Sequence, residues 1–399
     1  MVTSKNLGPF TGIKILDLTT AFSGPICTTV LADQGAQVVK VENVGIGEIT
    51  RYSGASRNGM SGLFHLANRG KRSLAINMKD PRGNEIIKKL IAISDIVIQN
   101  MRHGAVQRLG IDYPAAKALN SEVIYLSITG YGNRGALAKS PVFDNIMQAF
   151  SGFADLERTK KSPEPSLVQN MVVDKLTALN AAQAISAALF ARSNGHGGQH
   201  IELSMLDCAV NFLWVDSAMD AALPGSDSRP TIPTAKKAEI IFFKNGAASI
   251  SPLTNEAFHH VCKILDVDGD DPRLKTTLDR MANTEIFETI KQKWQEHALV
   301  MDVNKVISRL QANDVPCSKI HALIDLPEHP QAKAVNLFRR TIHPVMGDFI
   351  EPRPAALFSV TKSRISDTAP TLGQHTDAIL KELGMDDEIP ELKKMGIIQ

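Results

Sequence analysis

The sequence predicts an α/β protein built on a mostly parallel β-sheet. In the first half of the chain, short apolar stretches of strand length alternate with longer stretches of helical pattern. Strands separated by helices form parallel sheets with helices on their faces. With 399 residues the chain is long enough for two domains. A segment rich in Pro, Gly and Ser, residues 223–237, looks like the connection between them.

The predicted elements of the first half follow one another in order. The predicted strands cover residues 13–18, 36–42, 71–79, 95–100 and 122–130. After the first strand, Pro25 suits the first turn of a helix and Gly35 suits its end. A second helix is predicted over residues 80–94, with Asp80 as its N-cap and Pro81 at its first position. Ligands of such sheets bind beyond the carboxyl ends of the strands.

The second half predicts a further domain. Residues 198–219 read as a strand followed by a helix. Helical patterns within residues 238–325 predict a smaller α+β domain. The tail, residues 372–398, reads as two short helices.

Composition limits the possible classes of function. A hydrophobic fraction of 43% with 22% charged residues is typical of a globular protein. The net charge of +2 argues against a general nucleic-acid binder. The four cysteines form no CxxC pair, so we expect free thiols. There is no apolar run of about 18 residues and no apolar signal core, so we expect a cytoplasmic protein without a membrane span.

Several ligand classes lack their motifs. No G-x-G-x-x-G follows the first strand, and the chain has no P-loop, so nicotinamide enzymes and nucleoside triphosphatases are disfavoured. His196 and His200 have the i, i+4 spacing of a helical metal site. They lie in a glycine-rich turn, however, so we expect no metal site there.

Six basic residues lie near the ends of two predicted strands: Arg69, Lys71, Arg72, Lys79, Arg102 and Arg108. Each alone suits a solvated surface. Together they could converge on phosphate groups, to which arginine donates paired hydrogen bonds. A carrier that keeps its phosphates, such as coenzyme A (CoA), fits this pattern better than a triphosphate that is cleaved.

Asp174 has two interpretations. It precedes an apolar stripe of helical spacing formed by Leu176, Leu179, Ala182, Ile185 and Leu189. An Asp in that place suits a helix N-cap, and the local sequence alone favours this reading. The many Ala and Ser residues that follow also suggest that another backbone or a ligand approaches closely. Asp174 is therefore also a candidate reacting group.

The chain resembles the class III CoA-transferases, or CaiB/BaiF family, over nearly its whole length. The order and spacing of several segments carry the resemblance: "GIKILDLTTAFSGPICTTVLADQGAQVVKVEN", "NRGKRSLAINMKDPRG", "NMRHGAVQRLGI", "SITGYGNRG", "PVFDNIMQAFSGF", "DKLTALNAAQAISAALFAR", "GQHIELSMLD", "NDVPCSKI" and "LGQHTDAILKELG".

The resemblance implies an acyl-CoA:carboxylate CoA-transferase with Asp174 as the catalytic nucleophile. The carboxylate would attack an acyl-CoA thioester, and an aspartyl mixed anhydride and then an aspartyl–CoA thioester would follow. Water would destroy both intermediates, so the site must be sheltered. CoA and acyl-CoA are then substrates, and we expect no tightly bound cofactor and no metal.

The resemblance also implies a set of CoA-binding residues. These are Arg102 and Arg108 at the phosphates with Asn100 beside them, Ile76 and Lys79 at the adenine and ribose, Ala21, Phe22 and Ser23 at the pantetheine or thioester, and Lys139 in a loop of variable length.

Two alternatives stay open. Racemases of the same family carry a His directly before the Asp that stands here at Asp144, and this chain has Phe143 instead, so one of two opposed bases is missing. A non-catalytic CoA-binding homologue would have lost Asp174. Oxalate-type transferases carry a glycine-rich loop that residues 244–258 lack, which puts an oxalate or formate substrate in doubt.

The resemblance implies a ring-shaped chain in an interlocked homodimer. Residues 1–222 would form the first part of a large domain with a Rossmann-like parallel sheet. Residues 223–237 would be a linker and 238–328 the small domain, and 329–399 would return to complete the large domain. The site would lie between the large domain of one subunit and the small domain of the other. The expected partners are an acyl-CoA, a carboxylic acid and a second copy of the chain, with neither nucleic acid nor membrane.

Overall fold

A computed structural model describes residues 8–159, 162–225, 239–363, 365 and 367–399. The chain forms two compact units, Met1–Leu213 with Val335–Gln399, and Trp214–Ala334. Of the predicted linker, residues 226–237 lie outside the described residues. The predicted domain boundaries therefore stay a prediction.

The strands and helices have the following bounds. The β-strands are β1 Lys14–Asp17, β2 Gln37–Glu42, β3 Ser56–Arg57, β4 Met60–Ser61, β5 Lys71–Ala75, β6 Ile96–Gln99, β7 Ile124–Thr129, β8 His200–Ser204, β9 Ile240–Phe243, β10 Gly246–Ile250, β11 Cys317–Lys319, β12 Phe338–His343 and β13 Gly347–Pro352. The α-helices are α1 Ser23–Asp33, α2 Gly62–Asn68, α3 Pro81–Ala92, α4 Ala105–Leu109, α5 Tyr113–Leu119, α6 Asp144–Ser151, α7 Phe153–Leu156, α8 Val172–Ala191, α9 Met205–Trp214, α10 Met219–Ala222, α11 Asn255–Ile264, α12 Thr277–Ala282, α13 Thr284–Ala298, α14 Val303–Gln311, α15 Pro330–Ala334, α16 Thr376–Glu382 and α17 Ile389–Lys394.

The first unit contains a six-stranded sheet in the order β5-β2-β1-β6-β7-β8. Every pair of neighbouring strands is parallel, which confirms the predicted α/β fold and parallel sheet. The chain order reverses direction between β1 and β6. At such a switch point the loops after the two strands diverge and leave a crevice at the carboxyl edge of the sheet.

Both faces of this sheet are covered, because side chains of each strand alternate between two cores. On one face Ile15 and Ile98 pack in one cluster with residues of α1 and α8. On the other face Leu16 and Val97 pack with residues of α3, α16 and α17. Helices α16 and α17, the last of the chain, therefore belong to the same unit as the first strands.

The second unit has a three-stranded antiparallel sheet in the order β11-β10-β9. Residues of α11, α13 and α14 form its core, with Phe258 and Trp294 among the largest buried side chains. Two further two-stranded sheets, β3–β4 and β12–β13, are also antiparallel and lie in the first unit. None of the described helices is long and apolar enough to cross a membrane. The cytoplasmic location stays a prediction.

Candidate active site

Asp174 lies in the first turn of α8 and not at its N-cap. Met171 holds the N-cap position, and the helix begins at Val172. The interpretation of Asp174 as the N-cap was therefore wrong. The reason is that the backbone N–H of Asp174, one of the free donors of the first turn, donates to Asp144 Oδ1 at 2.9 Å. The side chain of Asp144, in α6, thus accepts the hydrogen bond that the side chain of a local N-cap residue would otherwise accept.

The buried face of α8 consists mainly of small residues. The expected apolar stripe is wrong at Leu179, whose side chain is 57% exposed. Ala178, Ala181 and Ile185 instead pack in one core with Cys27 and Leu31 of α1. Small side chains let two helix backbones approach closely. The approach brings together Asp174 and Ser23, each in the first turn of its helix.

The Asp174 carboxyl group is buried, and no counterion lies beside it in the part of the chain that the structure describes. Asp174 is 8% exposed, and its carboxyl group forms no ion pair with any cation of the described residues. Burial, and next to it the negative charge of Asp144, raises the pKa of Asp174 to about 6, while hydrogen bonds from the side chain and backbone of Ser23 lower it. The group therefore changes charge near neutral pH, as nucleophiles and bases at active sites commonly do.

Gln148 holds Asp144 in place. Its Nε2 donates to Asp144 Oδ2 at 2.6 Å and to the carbonyl oxygen of Asn170 at 3.1 Å. Its Oε1 accepts a hydrogen bond from the backbone N–H of Val168. Gln148 thus ties the segment that leads into α8 to helix α6, and fixes the two carboxyl groups relative to each other.

The three residues predicted at the pantetheine or thioester lie in the loop between β1 and α1. Ala21 has φ of +66°, Phe22 is the N-cap of α1, and Ser23 is its first residue. The predicted residue Asn100 contacts this loop, because its Oδ1 accepts from Thr20 N at 2.9 Å and its Nδ2 donates to Thr20 O at 2.8 Å. Asn100 thereby joins the loops after β1 and β6 at the switch point of the sheet.

A buried ionic cluster, formed by Asp17, Lys40 and Lys71, is hydrogen-bonded to the loop between β1 and α1. Asp17 accepts hydrogen bonds from Thr19 N at 2.9 Å and from Lys71 Nζ at 3.1 Å. Lys71 also donates to the carbonyl oxygen of Pro25 at 2.9 Å, and Lys40 donates to that of Thr19 at 3.1 Å. Both ends of the loop that carries Ser23 are therefore fixed by charged side chains.

Three of the six basic residues are engaged in ion pairs. Lys71 pairs with Asp17, Arg69 pairs with Asp33 and Glu351, and Arg72 pairs with Glu382. The expectation that Arg69 and Lys71 converge on phosphates was wrong, because both are buried against acidic partners from distant parts of the sequence. For Arg72, whose pair with Glu382 is partly exposed, it stays a prediction.

Two of the predicted CoA-binding residues, Lys79 and Arg108, line one cavity of about 440 Å³. Three further cations line it as well, namely Arg82, Lys88 and Lys89. We call this cavity the basic groove. Arg82 pairs with Glu391 and Lys88 with Glu85. Within the described chain the other three cations form no ion pair, so they are available to an anionic ligand.

The remaining predicted residues lie apart from the basic groove. Ile76 is fully buried in the core and pairs with Ile398. Arg102 is exposed in the loop after β6, and Lys139 is exposed in the loop after β7. The structure therefore brings six of the nine predicted CoA-binding residues together in two places, at the loop beside Asp174 and in the basic groove.

A sequence model described as CoA-transferase family III matches residues 10–376. The chain belongs to CoA-transferase family III. This confirms the family predicted from the sequence, and the protein is a family III CoA-transferase enzyme.

Named relatives of this family III enzyme match it over nearly its whole length. Succinyl-CoA:glutarate CoA-transferase of Homo sapiens is 31% identical over 98% of this chain and 90% of its own. Succinate–glutarate CoA-transferase of Agrobacterium fabrum is 30% identical over 94% of this chain and 96% of its own. A crystal structure of a CAIB/BAIF family protein from Brucella suis superimposes with a TM-score of 0.81 at 28% identity, covering 94% of this chain and all of that one.

Sequence reasoning on this family III enzyme missed Asp144 as the partner of Asp174 and Gln148 as the partner of Asp144. Their i, i+4 spacing was the available signal, because it places two polar side chains on one face of a short helix. It also missed the buried ionic cluster. There the signal was Asp17 at the end of an apolar strand, where a charge needs a partner if the strand is buried.

Proposed function

We propose that this enzyme is an acyl-CoA:carboxylate CoA-transferase and that Asp174 is its nucleophile. The observation that carries the proposal is the environment of the Asp174 carboxyl group. It is buried, has no counterion among the described residues, and has its pKa raised to about 6. A carboxylate that is poorly solvated and poorly compensated is more reactive toward a carbonyl group than one in water.

The proposed reaction passes through two kinds of covalent intermediate on Asp174. A carboxylate oxygen attacks the thioester carbonyl of the donor, the C–S bond breaks, and a mixed anhydride and CoA thiolate result. The thiolate then attacks the aspartyl carbonyl and releases the donor acid, which leaves an aspartyl–CoA thioester. The acceptor carboxylate attacks the carbonyl of that thioester, its C–S bond breaks, and a second anhydride and CoA thiolate result. Finally the thiolate takes the acceptor acyl group and frees Asp174.

Each step exchanges one activated acyl group for another, so no ATP is required. The demands on the protein are to hold CoA, to exclude water and to keep Asp174 in place. Burial of Asp174 at the meeting point of α1 and α8 supports the second demand. The hydrogen bonds that Ser23 donates to the Asp174 carboxyl group, and the one that Asp144 accepts from the Asp174 backbone N–H, support the third.

We propose that the basic groove holds the phosphates of CoA, with the thiol end at the loop that carries Ser23. The cations of Lys79, Lys89 and Arg108, which lack ion pairs in the described chain, support this assignment. We expect Arg108→Ala to raise the dissociation constant of CoA about tenfold, as loss of a charge-assisted hydrogen bond would. Arg309→Ala, which changes an exposed arginine of the second unit, is the control. An unchanged constant for Arg108→Ala would remove this residue from the site.

The acids that exchange CoA are proposed from the relatives. Because the human and Agrobacterium fabrum relatives are named for succinate and glutarate, we propose dicarboxylic acids of that size as the substrates. Succinyl-CoA with glutarate is then the first pair to assay, followed by a panel of other acyl-CoA donors and acids read by mass spectrometry. Turnover of oxalate in preference to glutarate would contradict the proposal.

The test of the nucleophile is covalent trapping. The enzyme is incubated with succinyl-CoA, treated with hydroxylamine or borohydride, digested and mapped by mass spectrometry. We expect the modification on Asp174, and none in Asp174→Asn. Modification of another residue would refute the proposal. Rapid exchange of the α-proton of a 2-methylacyl-CoA without any acceptor acid would favour the racemase, although Phe143 stands where that branch carries its second base.

We also propose the interlocked homodimer. Large apolar side chains on the outside of α8 support an interface, since Leu179 is 57% and Phe190 is 70% exposed. Being eleven residues apart, about three turns, they share one face of the helix. We expect twice the chain mass of 43.4 kDa by light scattering. Subunits that carry different tags should not exchange after mixing unless they are first unfolded, and fast exchange would exclude interlocking.

A further inference from the structure

Asp144 and Asp174 differ from the other buried acids of the molecule. Among the described residues seven acidic side chains are buried: Asp17, Asp33, Glu42, Glu48, Asp144, Asp174 and Glu351. Five of them lie within 3.1 Å of a cationic nitrogen. The two without a cation are Asp144 and Asp174, and these two are neighbours.

The contact between the two acids is direct. Asp144 Oδ1 accepts the backbone N–H of Asp174 at 2.9 Å, and Gln148 holds Asp144 Oδ2 at 2.6 Å. Asp144 is 7% exposed, so water compensates little of its charge. Like charges held together in a buried place destabilise each other. A scaffold that needed only the hydrogen bond to the N–H could use a neutral side chain there.

We propose that Asp144 is a positioning residue that also favours the acylated state of Asp174, because its uncompensated charge destabilises the free Asp174 carboxylate more than the uncharged anhydride or thioester. The inference rests on the proposed function. In the first step the Asp174 oxygen forms a bond to the acyl carbon and the C–S bond breaks. The negative charge moves from Asp174 to the CoA sulfur and thus away from Asp144. The repulsion is released in the step that activates the acyl group.

The electrostatics of the site agree with this reading. After burial, the charge of Asp144 is the second cause that raises the pKa of Asp174, and the hydrogen bonds from Ser23 oppose it. Among the described residues no cationic side chain pairs with either acid. Removing the Asp144 charge should therefore lower the pKa of Asp174 and make its carboxylate less readily acylated.

The test compares two neutral variants with a matched control. Asp144→Asn keeps an acceptor oxygen for the Asp174 N–H, and Asp144→Ser is a shorter neutral acceptor that leaves nothing against Gln148. Asp155→Asn removes one negative charge from an exposed side chain of α7 and serves as the control. Two quantities are measured from about pH 4 to 8: the acid limb of kcat/KM, and the fraction of enzyme carrying CoA on Asp174 at a fixed ratio of succinyl-CoA to succinate.

For at least one neutral variant that folds, we expect the midpoint of the acid limb to fall by about one pH unit and the ratio of CoA-bound to free enzyme to drop about tenfold. The control should match the wild type. A purely structural role would lower the rate at every pH and leave both the midpoint and the ratio unchanged, and this would overturn the inference. Absence of any adduct on Asp174 in the wild type would overturn the proposed function and the inference with it.

Discussion

Two buried carboxyl groups of the first unit, those of Asp17 and Asp174, have opposite electrostatic environments. Asp17 ends β1 and is fully buried, which alone would raise its pKa. Lys71 and Lys40, with hydrogen bonds from Thr19 and Thr28, nevertheless hold the pKa of Asp17 far below its usual range. Asp174 is nearly as buried but has another acid as its neighbour, and its pKa is raised to about 6.

The comparison shows that partners, and not burial, decide what a buried acid does. The charge of Asp17 is compensated by cations and hydrogen-bond donors, so this residue can anchor the loop that carries Ser23. The charge of Asp174 is left poorly compensated, which costs stability but keeps the group reactive. The two roles are linked, because the loop anchored on Asp17 delivers the hydrogen bonds of Ser23 to Asp174.

The largest expected effect concerns activity. Asp174→Asn should lower CoA transfer by at least about 10³-fold, because loss of a covalent nucleophile removes the whole pathway through the anhydride. Turnover of succinyl-CoA with an acceptor acid measures it. Asp155→Asn, which removes an exposed acid, should keep full activity. A transfer rate within tenfold of the wild type for Asp174→Asn would make this acid no more than a part of the scaffold.

The second-largest expected effect concerns stability, and it is expected at Asp17, the other acid of the comparison. Asp17→Asn leaves Lys71 buried without its counterion, so we expect a loss of roughly 3–5 kcal/mol in the free energy of unfolding. Denaturant titration followed by circular dichroism measures it. The control is Glu85→Gln, which breaks the exposed pair with Lys88 and should cost less than about 1 kcal/mol. A similarly small cost for Asp17→Asn would show that Lys71 finds other partners.

The same contrast explains how far the sequence predicts this structure. The strands and the N-cap at Asp80 depend on local patterns and were predicted, and Asp80 does accept the N–H of Arg82. The environments of Asp17 and Asp174 depend on partners 54 and 30 residues away in sequence. Lys71 and Lys79 bracket one predicted strand, yet the first is buried on Asp17 and the second lines the basic groove. No local pattern separates such cases, because the partner that decides comes from another element.

The third effect is the pH dependence of stability. The pKa of Asp174 in the folded protein, about 6, lies above its ordinary value of 3.8, so the folded state binds this proton more tightly than the unfolded state. Its favourable contribution is fully present below about pH 3.8 and is lost as the pH rises through about 6. The stability of Asp174→Asn relative to the wild type should therefore increase between these values, by at most roughly 3 kcal/mol.

Denaturant titrations of wild type and Asp174→Asn at several pH values from about 4 to 7 give this difference. The contribution of Asp17 has the opposite sign, because a lowered pKa adds stability above its ordinary value and loses it only in stronger acid. Asp17 should therefore add little slope over the same range. A difference that stays constant between pH 4 and 7 would mean that Asp174 is compensated in solution after all.

The smallest expected effect tests the link between the two regions. The hydrogen bonds from Ser23 lower the pKa of Asp174, so Ser23→Ala should raise it. Loss of one such bond, about 1 kcal/mol, moves the acid limb of kcat/KM upward by somewhat less than one pH unit. This direction is opposite to the shift expected for Asp144→Asn, so the two variants bracket the wild type. If both moved the limb in the same direction, the donors at Ser23 and the charge at Asp144 would not act on one carboxyl group. The proposed link between the compensated acid, Asp17, and the poorly compensated acid, Asp174, through the loop that carries Ser23 would then be wrong.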